Sequence, residues 1–103
     1  MADLTQEEWA ANFDNDTNGF LLDVRTPEEF EQGFIPGATN IDIRGGQEFI
    51  DEIEKLDKNK NYYVYCRSGA RSGQACAIMN QLGFENTYNL SGGILEWEGD
   101  IEE

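Results

Sequence analysis

The sequence predicts an α/β fold with a mostly parallel sheet, and three observations predict it. Short runs of aromatic and β-branched residues alternate with segments whose apolar residues recur at helical spacing. Two Thr-x-x-Glu capping signals and a series of glycines mark the changes from one pattern to the other. At 103 residues the chain has the size of one unit with one core, so 1–103 is read as a single domain without repeat or linker. Strands that alternate with helices need crossover connections, and crossovers make the pairing parallel.

The first element is a helix. In Leu4-Thr5-Gln6-Glu7-Glu8-Trp9, Thr5 and Glu8 form a capping box, and Leu4 with Trp9 supplies the hydrophobic staple around it. Phe20-Leu21-Leu22-Asp23-Val24 is a short apolar run suited to a buried strand. Thr26-Pro27-Glu28-Glu29 then starts a second helix, with Thr26 as N-cap, Pro27 at the first helical position and Glu29 closing the box. Gly33 ends it, and Pro36-Gly37 reads as a turn. Asn40-Ile41-Asp42-Ile43 is a second, weaker strand. After Gly45-Gly46, Phe49, Ile50, Ile53 and Leu56 recur on one helix face. Tyr62 to Tyr65 form a third strand. Ala75, Ile78, Met79 and Leu82 mark a helix that Gly83 stops. Thr87 to Leu90 is a fourth strand, and Ser91-Gly92-Gly93 leads into a short helix around Trp97.

Charge and cysteine content narrow the function. With 21 acidic and 7 basic residues the net charge is −14, which argues against nucleic acid and anionic membranes as partners. Most carboxylates are read as solvated helix faces, and a basic protein partner is favoured. No apolar run approaches the roughly 20 residues that span a bilayer. The N-terminal MADLTQEEWA lacks a basic and an apolar region of the signal-peptide kind, so a soluble cytoplasmic protein is expected. Two cysteines, Cys66 and Cys76, and no histidine exclude a disulfide framework, a zinc site and a Cys–His dyad.

Cys66 ends the clearest strand, and in mostly parallel sheets ligands gather at the carboxyl ends of the strands. The loop Cys66-Arg67-Ser68-Gly69-Ala70-Arg71-Ser72 then enters a helix. If it curls over the helix start, its N–H groups point inward and hold an anion, and Gly69 allows the dihedrals of the curl. Arg67 and Arg71 add positive charge beside the thiol. Lowering a thiol from about 8.5 to about 7 needs only ~2 kcal/mol of preferential thiolate stabilisation. The competing reading is a plain buried cysteine with two surface arginines.

The segment CRSGARS resembles the active-site loop of rhodanese-type sulfurtransferases. DVRTPEEFEQGFIPGATNI, Asp23 to Ile41, resembles the first signature segment of that family, and LSGGILEW, Leu90 to Trp97, its last. The resemblance spans Phe20 to Glu98, with the motifs in family order. It implies a single rhodanese-like domain, a four- or five-stranded parallel sheet with helices on both faces. It further implies that Cys66 is the nucleophile that carries sulfur as a persulfide. The backbone of Arg67, Ser68, Gly69, Ala70 and Arg71 would cradle the anionic donor, Arg67 would select it, and Arg71 would close the loop. The implied activity moves a sulfane sulfur from thiosulfate or a similar donor to a thiol, cyanide or a sulfur-acceptor protein, with no metal or organic cofactor. Phe34 stands where the family usually has histidine, and that position is taken as structural.

Loop length separates this chemistry from its neighbours. Cysteine phosphatases use a C-x5-R loop, whereas four residues lie between Cys66 and Arg71. The shorter loop belongs, by the resemblance, to sulfur transfer and the longer to phosphatases and arsenate reductases of similar fold. The alternative from another class is a persulfide carrier or protein-binding module with little turnover of its own. Asp23 and Arg25 are read as structural, with Glu28 or Glu29 as ion-pair partners. Arg44 is placed on the surface, Trp97 in the core or at the pocket rim, and Cys76 as a packed small residue rather than a resolving thiol. The chain is read as a monomer.

Overall fold

A computed structural model describes residues 2–103 and places them in a five-stranded, fully parallel sheet of order β1-β5-β4-β2-β3. The elements follow one another as β1 (Ala2–Leu4), α1 (Gln6–Asp14), β2 (Gly19–Asp23), α2 (Pro27–Glu31), β3 (Thr39–Asn40), α3 (Gln47–Glu54), β4 (Asn61–Tyr65), α4 (Ala70–Gln81) and β5 (Thr87–Leu90). Single 3-10 turns occupy Ile43–Gly45 and Ile94–Glu96.

Both capping boxes form as their sequences require. Thr5 accepts from the Glu8 N–H and Thr26 from the Glu29 N–H, and each glutamate reaches back to its cap. The alternation along the central strands sorts the core into two halves. Leu22, Tyr62 and Val64 face α3 and α4, where Phe49, Ile53, Ala75, Cys76 and Met79 cover them. Leu21, Tyr63 and Tyr65 face the other way and meet Trp9 of α1, Ile35 and Leu90. Helices therefore lie on both faces of the sheet, as the resemblance implies.

Two expectations need correction. The sequence gives no strand before the first helix, yet Ala2–Leu4 pairs with Tyr88, Asn89 and Leu90 at the sheet edge. A three-residue edge strand carries too little periodicity to be read, and Leu4 doubles as the residue preceding the N-cap. The strand expected at Asn40–Ile43 is shorter and earlier, Thr39–Asn40, because Asp42 caps a 3-10 turn through the Arg44 N–H. Ile41 and Ile43 still donate to the carbonyls of Asp23 and Val24, so the chain runs beside β2 without extending the ladder.

The topology sets the position of the site. From the carboxyl end of β2 the chain leaves toward β3, and from that of the adjacent β4 it leaves toward β5 on the opposite side. Such a divergence opens a crevice between the two strand ends. Asp23 and Tyr65 are in register at its floor, and Cys66 follows directly.

Candidate active site

Cys66 leaves β4 fully buried, and its Sγ accepts a hydrogen bond from the Gly69 N–H at 3.1 Å. The Ser72 hydroxyl lies 3.3 Å from the same sulfur, on the first turn of α4. The chain reaches this geometry because Gly69, the N-cap of α4, adopts φ 103° and turns the loop back over the strand end. Burial pushes the Cys66 thiol up, but bonds from the Ser72 hydroxyl and from the N–H groups of Ser72, Gly69 and Ser68 outweigh it, and the net direction is down. The thiolate is thus favoured mainly by hydrogen-bond dipoles.

A second segment holds the loop in that shape. The Ile94 N–H donates to the Cys66 carbonyl and the Leu95 N–H to the Arg67 carbonyl, both at 3.0 Å. The Arg67 carbonyl shares its peptide unit with the Ser68 N–H, one of the groups that bond the sulfur. The approach is so close that a Cβ on Gly93, at φ 60°, would lie 2.3 Å from the Arg67 carbonyl oxygen. The Gly93 backbone is therefore part of the site, a role that neither the reading of Ser91-Gly92-Gly93 as a helix lead-in nor its place in the signature-like segment Leu90 to Trp97 assigned.

The arginines occupy different places. Arg67 is exposed on the loop and makes no ion pair among the described residues. Arg71 makes a two-pronged bond to Glu29 of α2, at 2.7 and 2.9 Å, across the crevice. Arg71, Thr26 and burial act together on Glu29: the Arg71 bonds lower its carboxyl most, burial raises it, and the Thr26 bonds lower it further, to about 2. Arg25 does not take Glu28 or Glu29 as its carboxylate partner. Its guanidinium pairs with buried Asp23 at 2.6 Å and donates to the backbone carbonyls of Glu29 and Gly33. Asp23 lies within two residues of Arg25 on the strand end, so it reaches the guanidinium first and leaves Glu29 to Arg71.

The remaining candidates separate cleanly. Ser68 and Ala70 are exposed on the loop beside Arg67, and Gly69 is half-buried. Arg44 is exposed. Cys76 is sealed in the core, and burial pushes its thiol up to about 12, so it is a packing residue with no thiolate at neutral pH. Phe34 stacks on Phe30, with ring centroids 4.1 Å apart, and its backbone bridges Glu102, which fits a structural role. Trp97 packs edge-on against Trp9 and lines a cleft of about 450 Å³ between α1 and the C-terminal segment; Cys66 is not in that lining. Ser72 is the contact to the Cys66 sulfur that the sequence reading passed over. A hydroxyl one turn into a helix that follows a loop cysteine was the available signal.

The chain is similar to known proteins over most of its length. The rhodanese-like domain family model matches residues 5–100. A protein named sulfurtransferase from Allochromatium vinosum is 42% identical over 78 residues, 75% of this chain and 69% of that protein. A tRNA uridine(34) hydroxylase of Legionella pneumophila is 38% identical over 103 residues, spanning 97% of this chain but 40% of that longer protein. The crystal structure of a rhodanese-related protein from Thermoplasma volcanium superposes with a TM-score of 0.84 at 28% identity, covering 99% of this chain and 98% of that one.

Two outcomes follow from the contacts. Gly93→Ala must move the Arg67 carbonyl, so it should cost about 3 kcal/mol or more in denaturant unfolding and slow Cys66 alkylation; a variant of native stability and reactivity would contradict this reading. For Glu29 the folded value lies below the ordinary 4.5, so its stabilisation is complete above that value and is lost as pH falls toward about 2. Glu29→Gln should therefore cost about 1–3 kcal/mol at neutral pH, with the gap to wild type closing between pH 4.5 and about 2. A gap that does not change with pH would show that the carboxylate charge is not what Arg71 binds.

Proposed function

Because the chain belongs to the rhodanese-like domain family, we propose that it is a sulfurtransferase that carries a sulfane sulfur on Cys66. The observation that carries the reading is the Cys66 sulfur at the end of the central strand, with the Gly69 N–H and the Ser72 hydroxyl aimed at it.

In the first half-reaction the Cys66 thiolate attacks the outer sulfur of thiosulfate. A new S–S bond forms, the thiosulfate S–S bond breaks, and sulfite leaves with the bonding pair. Cys66 is left as a persulfide. In the second half, cyanide or a thiolate acceptor attacks the terminal sulfur, and the Cys66 thiolate is released with its electron pair. The backbone of Arg67, Ser68, Gly69, Ala70 and Arg71 surrounds the anion, and their N–H dipoles stabilise the charge at each stage. Exposed Arg67 draws in and contacts the donor anion. Arg71 acts through Glu29, tying the loop to α2 while its charge still faces the pocket.

The phosphatase alternative is weaker on this geometry. The Arg71 fork is already engaged by Glu29, so it is not open to grip a phosphoryl group. A carrier within a larger assembly uses the same persulfide and differs only in its acceptor.

The test is thiosulfate:cyanide turnover. Cys66→Ser should reduce it to background, while Arg67→Ala should raise KM for thiosulfate about two- to fivefold with kcat little changed. Arg71→Ala should lower kcat as the loop loses its tie. Normal turnover by the Cys66→Ser variant would overturn the proposal.

A further inference from the structure

The Ser72 hydroxyl has two claimants for one proton. It lies beside the Cys66 sulfur and also within short hydrogen-bond distance of Asn89 Oδ1, on the neighbouring strand β5. Ser72 is fully buried and Asn89 nearly so. Which neighbour receives the proton is decided by how the Asn89 amide is turned. Its Nδ2 donates to the Asp3 carboxylate at 2.9 Å and to the Gly69 carbonyl at 3.1 Å. Both are pure acceptors, so reversing the amide would set its oxygen against two other oxygens. Oδ1 therefore faces Ser72 and can only accept.

While Cys66 is a thiol, every group is satisfied: Ser72 donates to Asn89, and the S–H can donate to the serine oxygen. A thiolate is a stronger acceptor and turns the Ser72 proton toward itself, which strips Asn89 Oδ1 of its donor. We infer that Asn89 is a positioning residue for Cys66, which by competing for the single Ser72 proton opposes thiolate formation and sets the reactivity of the sulfur. Asp3 and Gly69 hold it in that role. The competition itself depends only on the contacts; its purpose rests on the sulfur-transfer reading. There the same sulfur must attack in one half-reaction and leave in the other. A thiolate made too stable attacks weakly, and one made too costly is scarce.

Other groups bear on the same sulfur: Arg67 on its loop, Arg71 and Cys76 on α4, Glu29 of α2 and Asp42 through Arg71, and Asp3 of β1 behind Asn89. Asn89→Leu also removes the amide bonds to Asp3 and Gly69, so the Ser72→Ala background is needed to separate that loss from the Asn89–Ser72 contact. The experiment is the pH dependence of iodoacetamide alkylation at the Cys66 peptide of the whole chain. Asn89→Leu should lower the midpoint by roughly 0.5–1 pH unit, and Ser72→Ala should raise it. In the Ser72→Ala background, Asn89→Leu should have no further effect. A midpoint that rises or stays in Asn89→Leu, or a shift that persists without Ser72, would overturn the inference. In the wild type, the Asn89 side-chain amide NMR signals should move with the Cys66 midpoint, and fixed signals would overturn it without any variant. Alkylation requires no sulfur transfer, so a failure of turnover would count against the proposed function alone.

Discussion

The carbonyls of Cys66 and Arg67 are held by the N–H groups of Ile94 and Leu95, and the rest of the site depends on that pair of bonds. A peptide unit cannot turn its carbonyl outward without turning its N–H the other way. Fixing the Arg67 oxygen on the segment after β5 therefore orients the Ser68 N–H, one of the groups that bond the sulfur, and anchors the start of the loop that carries the Gly69 N–H. The bonds exist only because Gly93 has no side chain where it meets the Arg67 carbonyl. The sulfur is buried, a condition that by itself keeps a thiol neutral, and the bonds from Ser72 at the start of α4 together with the N–H groups of Gly69 and Ser68 reverse the sign.

This arrangement explains how a chain of net charge −14 can favour an anion at one point. At physiological salt the screening length is about 8 Å, so distant carboxylates are weakly felt. Close to the sulfur, the dominant groups are fixed dipoles, which carry no net charge to be compensated elsewhere. The Arg71 guanidinium is balanced by Glu29, and that pair serves as a brace between α2 and α4. Glu29 closes its own helix cap through the same carboxylate, so one residue joins a local folding signal to the geometry of the site.

Much of the architecture is legible in the residues because its determinants are local. Thr5 with Glu8 and Thr26 with Glu29 specify helix starts within four positions, and the continuous aromatic and β-branched run Tyr62 to Tyr65 specifies a strand covered on both faces. Edge strand β1 is not legible, since its pairing with β5 joins residues at opposite ends of the chain. The place of Cys66 at a strand end can be read directly, whereas its neighbours Ser72, Gly93 and Asn89 come from three later segments. Composition places two arginines next to the thiol; only the tertiary structure shows that Arg71 is spent on Glu29 while Arg67 is exposed. The partner of Arg25 was misread for the same reason, because several carboxylates lie within its reach along the sequence and packing selects Asp23.

Sulfur transfer through the Cys66 Sγ is tested most directly by mass spectrometry of the protein after brief thiosulfate treatment. The intact mass should increase by one sulfur atom, the added sulfur should map to the peptide containing Cys66, and cyanide should remove it. Sulfur found on the Cys76 peptide, or no added mass in a protein that turns over thiosulfate, would contradict the account.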